Sequence, residues 1–217
     1  NSEVWRATRP GALTIAVTCH KSNGQYHVYV ANYSTLVGWG TWQDLASSSS
    51  GFSKPAITSM GSFGSSTTDR LDLFVLRGDG YMMHTSSNYS GAAGTWTALD
   101  SRGYPPNALM VGDPDAAAWG RNRLDVVISS FDGRVQHLNW DGSNWFWDSG
   151  GLNGQPNPSG VSFIAGPSIT GLGDSRIWVS AVDTTGGVWN AKYDFGWNSW
   201  FHTPFGTSEA GIESTSW

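Results

Sequence analysis

The chain has 217 residues and a net charge of −5, and only 13% of its residues are charged. No basic cluster is present in the sequence, which argues against nucleic acid and anionic membranes as partners, and no apolar run approaches the roughly 20 residues of a membrane-spanning helix. Thirteen tryptophans exceed what a core of this size needs, so we expect some of these rings at the surface.

The first segment with a strand-like pattern is Ala12–Val17, which is followed by a turn at 22–24 and a second strand at Gln25–Val30. A third strand is predicted near Gly40–Leu45. The preceding residues, Asn1–Pro10, are interpreted as a connection. No stretch of ten or more residues shows helical periodicity, and the alternation of apolar residues favours strands throughout.

Three segments further along the chain are copies of one another. Arg70–His84 (RLDLFVLRGDGYMMH) matches Arg123–His137 (RLDVVISSFDGRVQH), and Arg176–Asn190 (RIWVSAVDTTGGVWN) matches both. The three arginines lie at equal intervals of 53 residues. A more divergent copy is Ala12–Val30. A repeat of about 54 residues is typical of the blades of a propeller.

The third copy predicts a complete four-stranded meander. Its tight-turn signals are the dipeptides Asp132-Gly133 and Asp141-Gly142, which favour hairpins between short apolar runs. The predicted strands are Asp115–Trp119, Leu124–Ser129, Val135–Trp140 and Trp145–Asp148.

A strand of small residues precedes three of the four copies, at Ala56–Met60, Ala116–Trp119 and Ser168–Leu172. The first copy has no such strand ahead of it, and the C-terminal segment Gly211–Trp217 has the same character. We therefore predict that the C-terminal strand joins the first blade and closes a ring, which would leave no sheet edge open. The alternative is that two chains pair to complete a larger ring.

The predicted fold class is all-β, a small β-propeller of four blades with four antiparallel strands each, forming one domain over residues 1–217. The predicted blade limits are about 211–217 plus 1–46 for blade 1, 55–100 for blade 2, 113–150 for blade 3 and 166–204 for blade 4.

Aromatic residues recur at equivalent positions of the copies and are the predicted sugar contacts, because the apolar C–H face of a pyranose stacks on an electron-rich ring. The alternative is that these rings pack between blades. The first choices, one before each Gly/Ser-rich stretch, are Trp42, Trp96, Trp147 and Trp200. The second choices, at the hairpins between the third and fourth strands, are Tyr33, Tyr89, Trp140 and Tyr193.

Two further repeat positions carry polar residues, and we interpret both as structural because each member comes from a different copy. One position holds His27, His84, His137 and Asn190; another holds Asp72 and Asp125. The sequence has no G-x-S-x-G, H-E-x-x-H or P-loop motif and a single cysteine, so no catalytic residue, metal site or cofactor is predicted.

The run WGRNRLDVVISSFDGRVQHLNWDGSNWFWDSGG resembles a blade of the bacterial PLL-type fucose-binding propeller lectins and, more loosely, the fungal fucose-specific propeller lectins. The resemblance extends through the second, third and fourth copies and fades in the first. It implies sugar binding without catalysis, in pockets that recur between adjacent blades.

The predicted function is therefore multivalent binding of glycans that end in fucose or another monosaccharide. Repeated weak sites on one rigid body raise avidity, and homo-oligomers would raise it further. Two alternatives stay open, a glycan hydrolase or lyase on a propeller and a protein-interaction scaffold. The sequons at Asn32 and Asn88 favour a secreted or extracellular protein, and a cytosolic location is the alternative.

Overall fold

The computed structural model of the chain describes residues 2–6, 12–59, 69–89, 95–105, 108–120, 122–152, 156–164, 166–173 and 176–207. These residues form 18 strands in four antiparallel sheets, so the all-β prediction is confirmed. The chain divides into two compact units, Asn1–Gly103 and Tyr104–Trp217, with two sheets in each. In the described part of the chain, no helix has the length and hydropathy needed to cross a membrane.

The first sheet has the order β1-β2-β3-β4, and β5 also pairs with β3, so two short strands share the outer position. Its strands are β1 (Ser2–Arg6), β2 (Ala12–His20), β3 (Tyr26–Ser34), β4 (Gly38–Trp39) and β5 (Gln43–Ser48).

Strand β1 corrects the interpretation of the N-terminal ten residues as a connection. Ser2 to Arg6 pair antiparallel with Val17 to Leu13, and β3 occupies the other edge of β2. Both edges of β2 are therefore filled, and a C-terminal strand could not pair with it directly. Backbone hydrogen bonds hold this position, so the charged side chains in the segment do not prevent strand formation. The predicted closing strand, Gly211–Trp217, lies outside the described residues.

The first sequon falls inside this sheet. Asn32 lies in β3, its side chain is buried, and its Oδ1 accepts a hydrogen bond from the Thr14 hydroxyl at 2.7 Å. The folded sheet therefore shields this asparagine from modification. The side chain of Asn88, in the second sequon, lies outside the described residues.

The second sheet completes the first unit, with the order β10-β8-β7-β6 and with β9 also paired to β8. Its strands are β6 (Ala56–Ser59), β7 (Asp69–Leu76), β8 (Met82–Tyr89), β9 (Thr95–Trp96) and β10 (Asp100–Ser101). Between the two sheets of this unit packs a core that includes Val28, Val30, Leu73 and Val75.

The second unit contains two sheets of four strands, each in simple sequence order. The third sheet is β11 (Met110–Gly120), β12 (Arg123–Ser130), β13 (Val135–Trp140) and β14 (Trp145–Trp147). The fourth is β15 (Ser168–Gly173), β16 (Arg176–Val182), β17 (Gly187–Asp194) and β18 (Phe201–Thr207). The four strands predicted for the third copy are confirmed. Gly133 and Gly142 have φ of 77° and 102°, as the Asp-Gly turns require.

Small residues bring β11 and β15, the first strands of the third and fourth sheets, close together. A Cβ atom on Gly171 of β15 would lie 2.6 Å from the Ala118 carbonyl oxygen of β11, so a larger residue would force the two strands apart. Asp115 of β11 links the strands further, because its Oδ2 accepts hydrogen bonds from the Ser168 hydroxyl at 2.9 Å and the Ile169 N–H at 2.8 Å. Beside this contact packs a core that includes Val127, Ile169 and Val179.

Candidate functional site

A cavity of about 410 Å³ lies in the second unit, between the third and fourth sheets. A volume of this size is in the range of small-molecule sites. The third sheet, with the residue that follows it, supplies eight of the side chains, and the fourth sheet, with the loop after β17, supplies the other three. The lining residues are Trp119, Arg123, Asp125, His137, Asn139, Trp140, Phe146, Asp148, Ile177, Tyr193 and Trp197.

Aromatic rings form much of the cavity wall. Tyr193 lies between two tryptophans, with ring centroids 6.0 Å from Trp119 and 5.5 Å from Trp197. On the side of the third sheet, Trp140 packs against Trp145 with centroids 5.3 Å apart, and Phe146 is about half exposed. The hairpin positions of β13 and β17 thus bring aromatic faces from two sheets to one cavity.

The polar part of the cavity is built around His137 in the middle of β13. Its Nε2 lies 2.7 Å from Oδ1 of Asp125 on β12, and its Nδ1 lies 2.7 Å from Oδ2 of Asp148, just after β14. The second oxygen of Asp125 accepts a hydrogen bond from the Trp119 indole, and the second oxygen of Asp148 accepts one from the Asn139 amide at 3.2 Å. All four carboxylate oxygens are therefore engaged within the protein.

This arrangement fixes the charge of the buried imidazole. Burial disfavours the charged form and lowers its pKa, but the hydrogen bonds and charges of Asp125 and Asp148 outweigh burial and raise the pKa of His137 to about 9. At pH 7 the ring is therefore an imidazolium that donates both N–H groups to carboxylates.

Arg123 at the start of β12 supplies exposed hydrogen-bond donors at the cavity. Its guanidinium lies 5.8 Å from the centre of the Trp119 ring, within the range of a cation–π contact. The side chain is exposed, so its N–H groups can reach a ligand in the cavity.

The second copy carries related residues in a different arrangement. His84 Nε2 lies 2.7 Å from Oδ1 of Asp72, as in the third copy, but the Arg102 guanidinium faces His84 Nδ1 at 2.9 Å. Since Arg is only a donor, this nitrogen is an acceptor. Arg70 binds Asp72 at 2.7 Å, and Oδ2 of Asp72 has no hydrogen-bond partner among the described residues.

The first and fourth copies complete the comparison at this repeat position. In the fourth copy, the Asn190 Oδ1 accepts hydrogen bonds from the Trp178 indole at 2.8 Å and the Ser180 hydroxyl at 2.6 Å, so the position is uncharged. In the first copy, His27 Nδ1 contacts Asp44 at 2.8 Å. The histidines at this position are thus hydrogen-bonded in their own sheets, as predicted.

The eight predicted sugar contacts lie in different environments, and only some of them line the cavity. Trp140 and Tyr193 line the cavity. Trp96 and Trp200 are only 7% and 8% exposed and belong to the two cores, so neither offers a free face, and both are dropped as sugar contacts. The reason is that their indoles point toward the neighbouring sheet of their own unit.

The other four predicted contacts do not line this cavity. Trp42 is 53% exposed, and Tyr33 is half-buried against Trp39, with ring centroids 5.3 Å apart. Trp147 in β14 is half-buried. Tyr89 ends β8, and its side chain lies outside the described residues.

The cavity also contains residues that the sequence interpretation did not select as contacts. Trp119 was assigned only to a small-residue strand, Arg123 was noted only for the repeat spacing, and Asp125 and His137 were assigned to structure. The equal spacing of the arginines was the signal that could have identified Arg123. No comparable signal marked Trp119, since its role depends on the sheet that faces it.

Comparison with solved structures shows similarity to propeller lectins. A variant of the Aleuria aurantia lectin in complex with alpha-methyl-L-fucoside superimposes with a TM-score of 0.63 at 20% identity, covering 99% of this chain and 66% of that chain. Another structure of that lectin is described as a six-bladed β-propeller with a novel mode of fucose recognition. The lectin SapL1, in complex with alpha methyl fucoside, gives a TM-score of 0.56 at 18% identity, covering 94% of this chain and 65% of that chain.

The same fold also occurs in an enzyme. The NanB sialidase of Streptococcus pneumoniae gives a TM-score of 0.58 at 8% identity, covering 95% of this chain and 52% of that chain. The sequence matches no protein-family model and no curated protein. The chain spans about two thirds of the length of the Aleuria aurantia lectin. At these identities, the likeness shows that the chain has the fold type of β-propeller lectins.

Proposed function

We propose that this chain is a lectin that binds glycans in the cavity of its second unit without chemically changing them. The observation that carries the proposal is the combination of aromatic rings from two sheets with the exposed donors of Arg123 in one cavity of about 410 Å³. A sugar needs both features, an aromatic face for its C–H groups and a few fixed polar groups for its hydroxyls.

In the proposed complex, a pyranose ring stacks on the wall formed by Trp140, Tyr193 and Trp197. Arg123 donates hydrogen bonds to hydroxyl or ring oxygens of the sugar. The carboxylates of Asp125 and Asp148 are held by His137, Trp119 and Asn139, and they orient the surrounding side chains. Fucose, the sugar of the fucosides bound by the similar lectins, is the first ligand to test.

The same engagement of the carboxylates supports binding without turnover. Glycoside hydrolysis uses one carboxylic acid as proton donor and a second carboxylate as base or nucleophile. In this cavity all four oxygens of the two carboxylates are held by His137, Trp119 and Asn139, so neither carboxyl group is available as a proton donor or nucleophile for a sugar. We therefore favour a lectin over the hydrolase or lyase alternative and over a protein-interaction scaffold.

We propose that the four copies form the blades of one ring, without the predicted pairing of a C-terminal strand with β2, because β1 holds that position. Four blades in a closed ring, with sugar pockets recurring between adjacent blades, would give multivalent binding to cell-surface or secreted glycans, and we propose an extracellular location for that reason. The four repeated sheets and the likeness to propeller lectins support this arrangement. Since the copies differ at the His137 position, we expect the pockets to differ in affinity.

Isothermal titration calorimetry with a panel of monosaccharides, starting with fucose, tests the proposal. We expect one sugar to bind the wild-type chain and Arg123→Ala to weaken that binding at least tenfold, since a hydrogen bond to a charged group contributes about 1.5–3 kcal/mol. Arg134→Ala removes another exposed arginine and serves as the matched control. Failure of the panel and of a glycan array would refute the lectin proposal, and release of reducing sugar from a glycoside would favour the enzyme.

A further inference from the structure

His137 joins three segments that line the cavity. Its two ring nitrogens hydrogen-bond to Asp125 of β12 and to Asp148 after β14, each at 2.7 Å. The ring also meets Trp197 of the fourth sheet edge to face, with centroids 5.4 Å apart and planes at 83°. One side chain thus contacts the polar groups of its own sheet and the aromatic wall of the next sheet.

The contacts continue from His137 to the other side of the wall. Asp125 accepts the hydrogen bond of the Trp119 indole, and the Trp119 ring lies against Tyr193. His137 itself is almost fully buried, so a ligand meets mainly the rings that it orients. Its position therefore determines where both Trp119 and Trp197 lie.

We propose that the imidazolium form of His137 is the positioning element of the cavity, and that ligand binding there requires this ring to carry both protons. The inference rests on the proposed function, because it concerns the same cavity. It adds His137 and its doubly protonated form to the lectin proposal. Neither of them follows from the likeness to other lectins.

Loss of one proton would disturb the cavity for a specific reason. A neutral imidazole has one N–H, so one of the two carboxylates would lose its hydrogen bond, and both charges would lose their compensating cation. The charged or titratable groups that line the cavity with His137 are Arg123, Asp125, Asp148 and Tyr193. With the pKa of His137 raised to about 9 despite the opposing effect of burial, this loss would occur between pH 8 and 10.

The test measures binding of the best monosaccharide by calorimetry at pH 8 and pH 10. For the wild-type chain, we expect the association constant to fall roughly tenfold over this range, in proportion to the protonated fraction of a group with a pKa near 9. His137→Asn copies the residue that the fourth copy has at Asn190. We expect this variant to bind more weakly at pH 8 and to show no further fall at pH 10. His202→Asn changes an exposed histidine that does not line the cavity; it is the control and should behave as the wild type.

Nuclear magnetic resonance provides a second readout that needs no sugar. The ¹⁵N signals of His137 should report two protonated nitrogens up to about pH 9, and the Trp119 indole N–H signal should shift with the same midpoint. A wild-type affinity that stays constant from pH 8 to 10 would overturn the inference. A fall that persists in His137→Asn would also overturn it, because the titrating group would then be a residue other than His137.

The two proposals fail in different ways. If no sugar binds at pH 8, the lectin proposal fails, while a Trp119 signal that follows the His137 titration still supports His137 as the positioning element. If sugar binds but Trp119 does not respond to His137, the lectin proposal stands and the positioning role is refuted.

Discussion

The second and third copies of the repeat place an aspartate and a histidine at the same two positions, yet they build different charge networks. In the third copy, His137 is an imidazolium between two carboxylates. In the second copy, His84 binds Asp72 through one nitrogen and accepts a hydrogen bond from Arg102 through the other. At Nδ1, His137 therefore carries a proton, whereas His84 accepts a hydrogen bond.

A difference just after the last strand explains the different hydrogen-bond partners of the two histidines. Asp100 and Asp148 both lie opposite the histidine of their sheet, but the residue two positions later is Arg102 in the second copy and Gly150 in the third. Arg102 reaches both Asp100 and His84. Without an arginine at this position, the histidine of the third copy supplies the positive charge itself.

A second difference determines whether the arginine that begins the copy is available to a ligand. Arg70 is held by Asp72 at 2.7 Å, whereas Asp125 is satisfied by His137 and Trp119, and Arg123 lies at the cavity. In sequence, Met60 corresponds to Trp119, and its side chain has no N–H to donate. Two sequence differences, at Arg102 and at Met60, therefore accompany the change from an arginine held in an ion pair to an arginine at a cavity.

The largest expected effect comes from removing the aspartate of each network. Asp125→Ala leaves a buried imidazolium with one carboxylate and the Trp119 indole without its acceptor. We expect the free energy of unfolding to fall by about 3–5 kcal/mol, as when one partner of a buried ion pair is lost. In Asp72→Ala, the partly exposed Arg70 can reach solvent, so the loss should be nearer to 1–3 kcal/mol. Urea unfolding at pH 7 measures both, and equal losses would contradict the comparison.

The next effect is a pH dependence of stability between pH 6 and pH 10 that His137 confers on the third copy. The pKa of His137 is raised from 6.5 to about 9 by its two carboxylates, against the opposing effect of burial. A raised pKa stabilises the folded state fully below pH 6.5, and this contribution of about 3 kcal/mol is lost as the pH rises through 9. The difference in unfolding free energy between the wild type and His137→Asn should therefore shrink from pH 6 to pH 10. A difference that stays constant would show that His137 does not change charge in this range.

Removing Arg102 should give His84 of the second copy surroundings closer to those of His137 in the third copy. Arg102→Ala deletes the donor to His84 Nδ1 and leaves Asp100 Oδ1 3.7 Å from that nitrogen. We expect a loss of about 1 kcal/mol for the missing hydrogen bonds and the appearance of a second N–H on His84 in ¹⁵N spectra. Arg134→Ala, which removes an exposed arginine 3.4 Å from Asp132, should leave the His84 spectrum unchanged.

The smallest expected effect comes from Asp183, a charged residue in a turn of the fourth copy. Burial opposes ionisation of Asp183, but hydrogen bonds from Thr185, Trp189 and Gly187 outweigh it and lower its pKa to about 2. A lowered pKa stabilises the fold above pH 3.8, and this contribution is lost as the pH falls through 2. Asp183→Asn should cost about 1 kcal/mol at pH 7 and less at pH 2. A cost that does not decrease in acid would contradict the assignment.

The strands and hairpins could be predicted from the sequence because their signals are local. Alternating apolar residues and the Asp132-Gly133 and Asp141-Gly142 turns determine the third sheet without reference to any other part of the chain. Strand β1 was missed because Glu3 and Arg6 differ from the small residues of the corresponding strands, although backbone pairing does not require small side chains.

The site could be predicted only in part, because burial depends on the facing sheet. Trp140 and Tyr193 were selected from a repeat position and do line the cavity. Trp200 was selected by the same logic, but it packs against Phe163 with ring centroids 4.7 Å apart. A repeat identifies equivalent positions, and the partner across the sheet interface decides whether each ring is exposed or buried.

The most direct test of the account is a crystal of the chain soaked with the monosaccharide that binds best in solution. We predict electron density for a sugar ring in the cavity, stacked on Trp140, Tyr193 or Trp197 and within hydrogen-bond distance of Arg123. Sugar density only elsewhere, for example beside the exposed Trp42, or an empty cavity at saturating sugar would contradict the account.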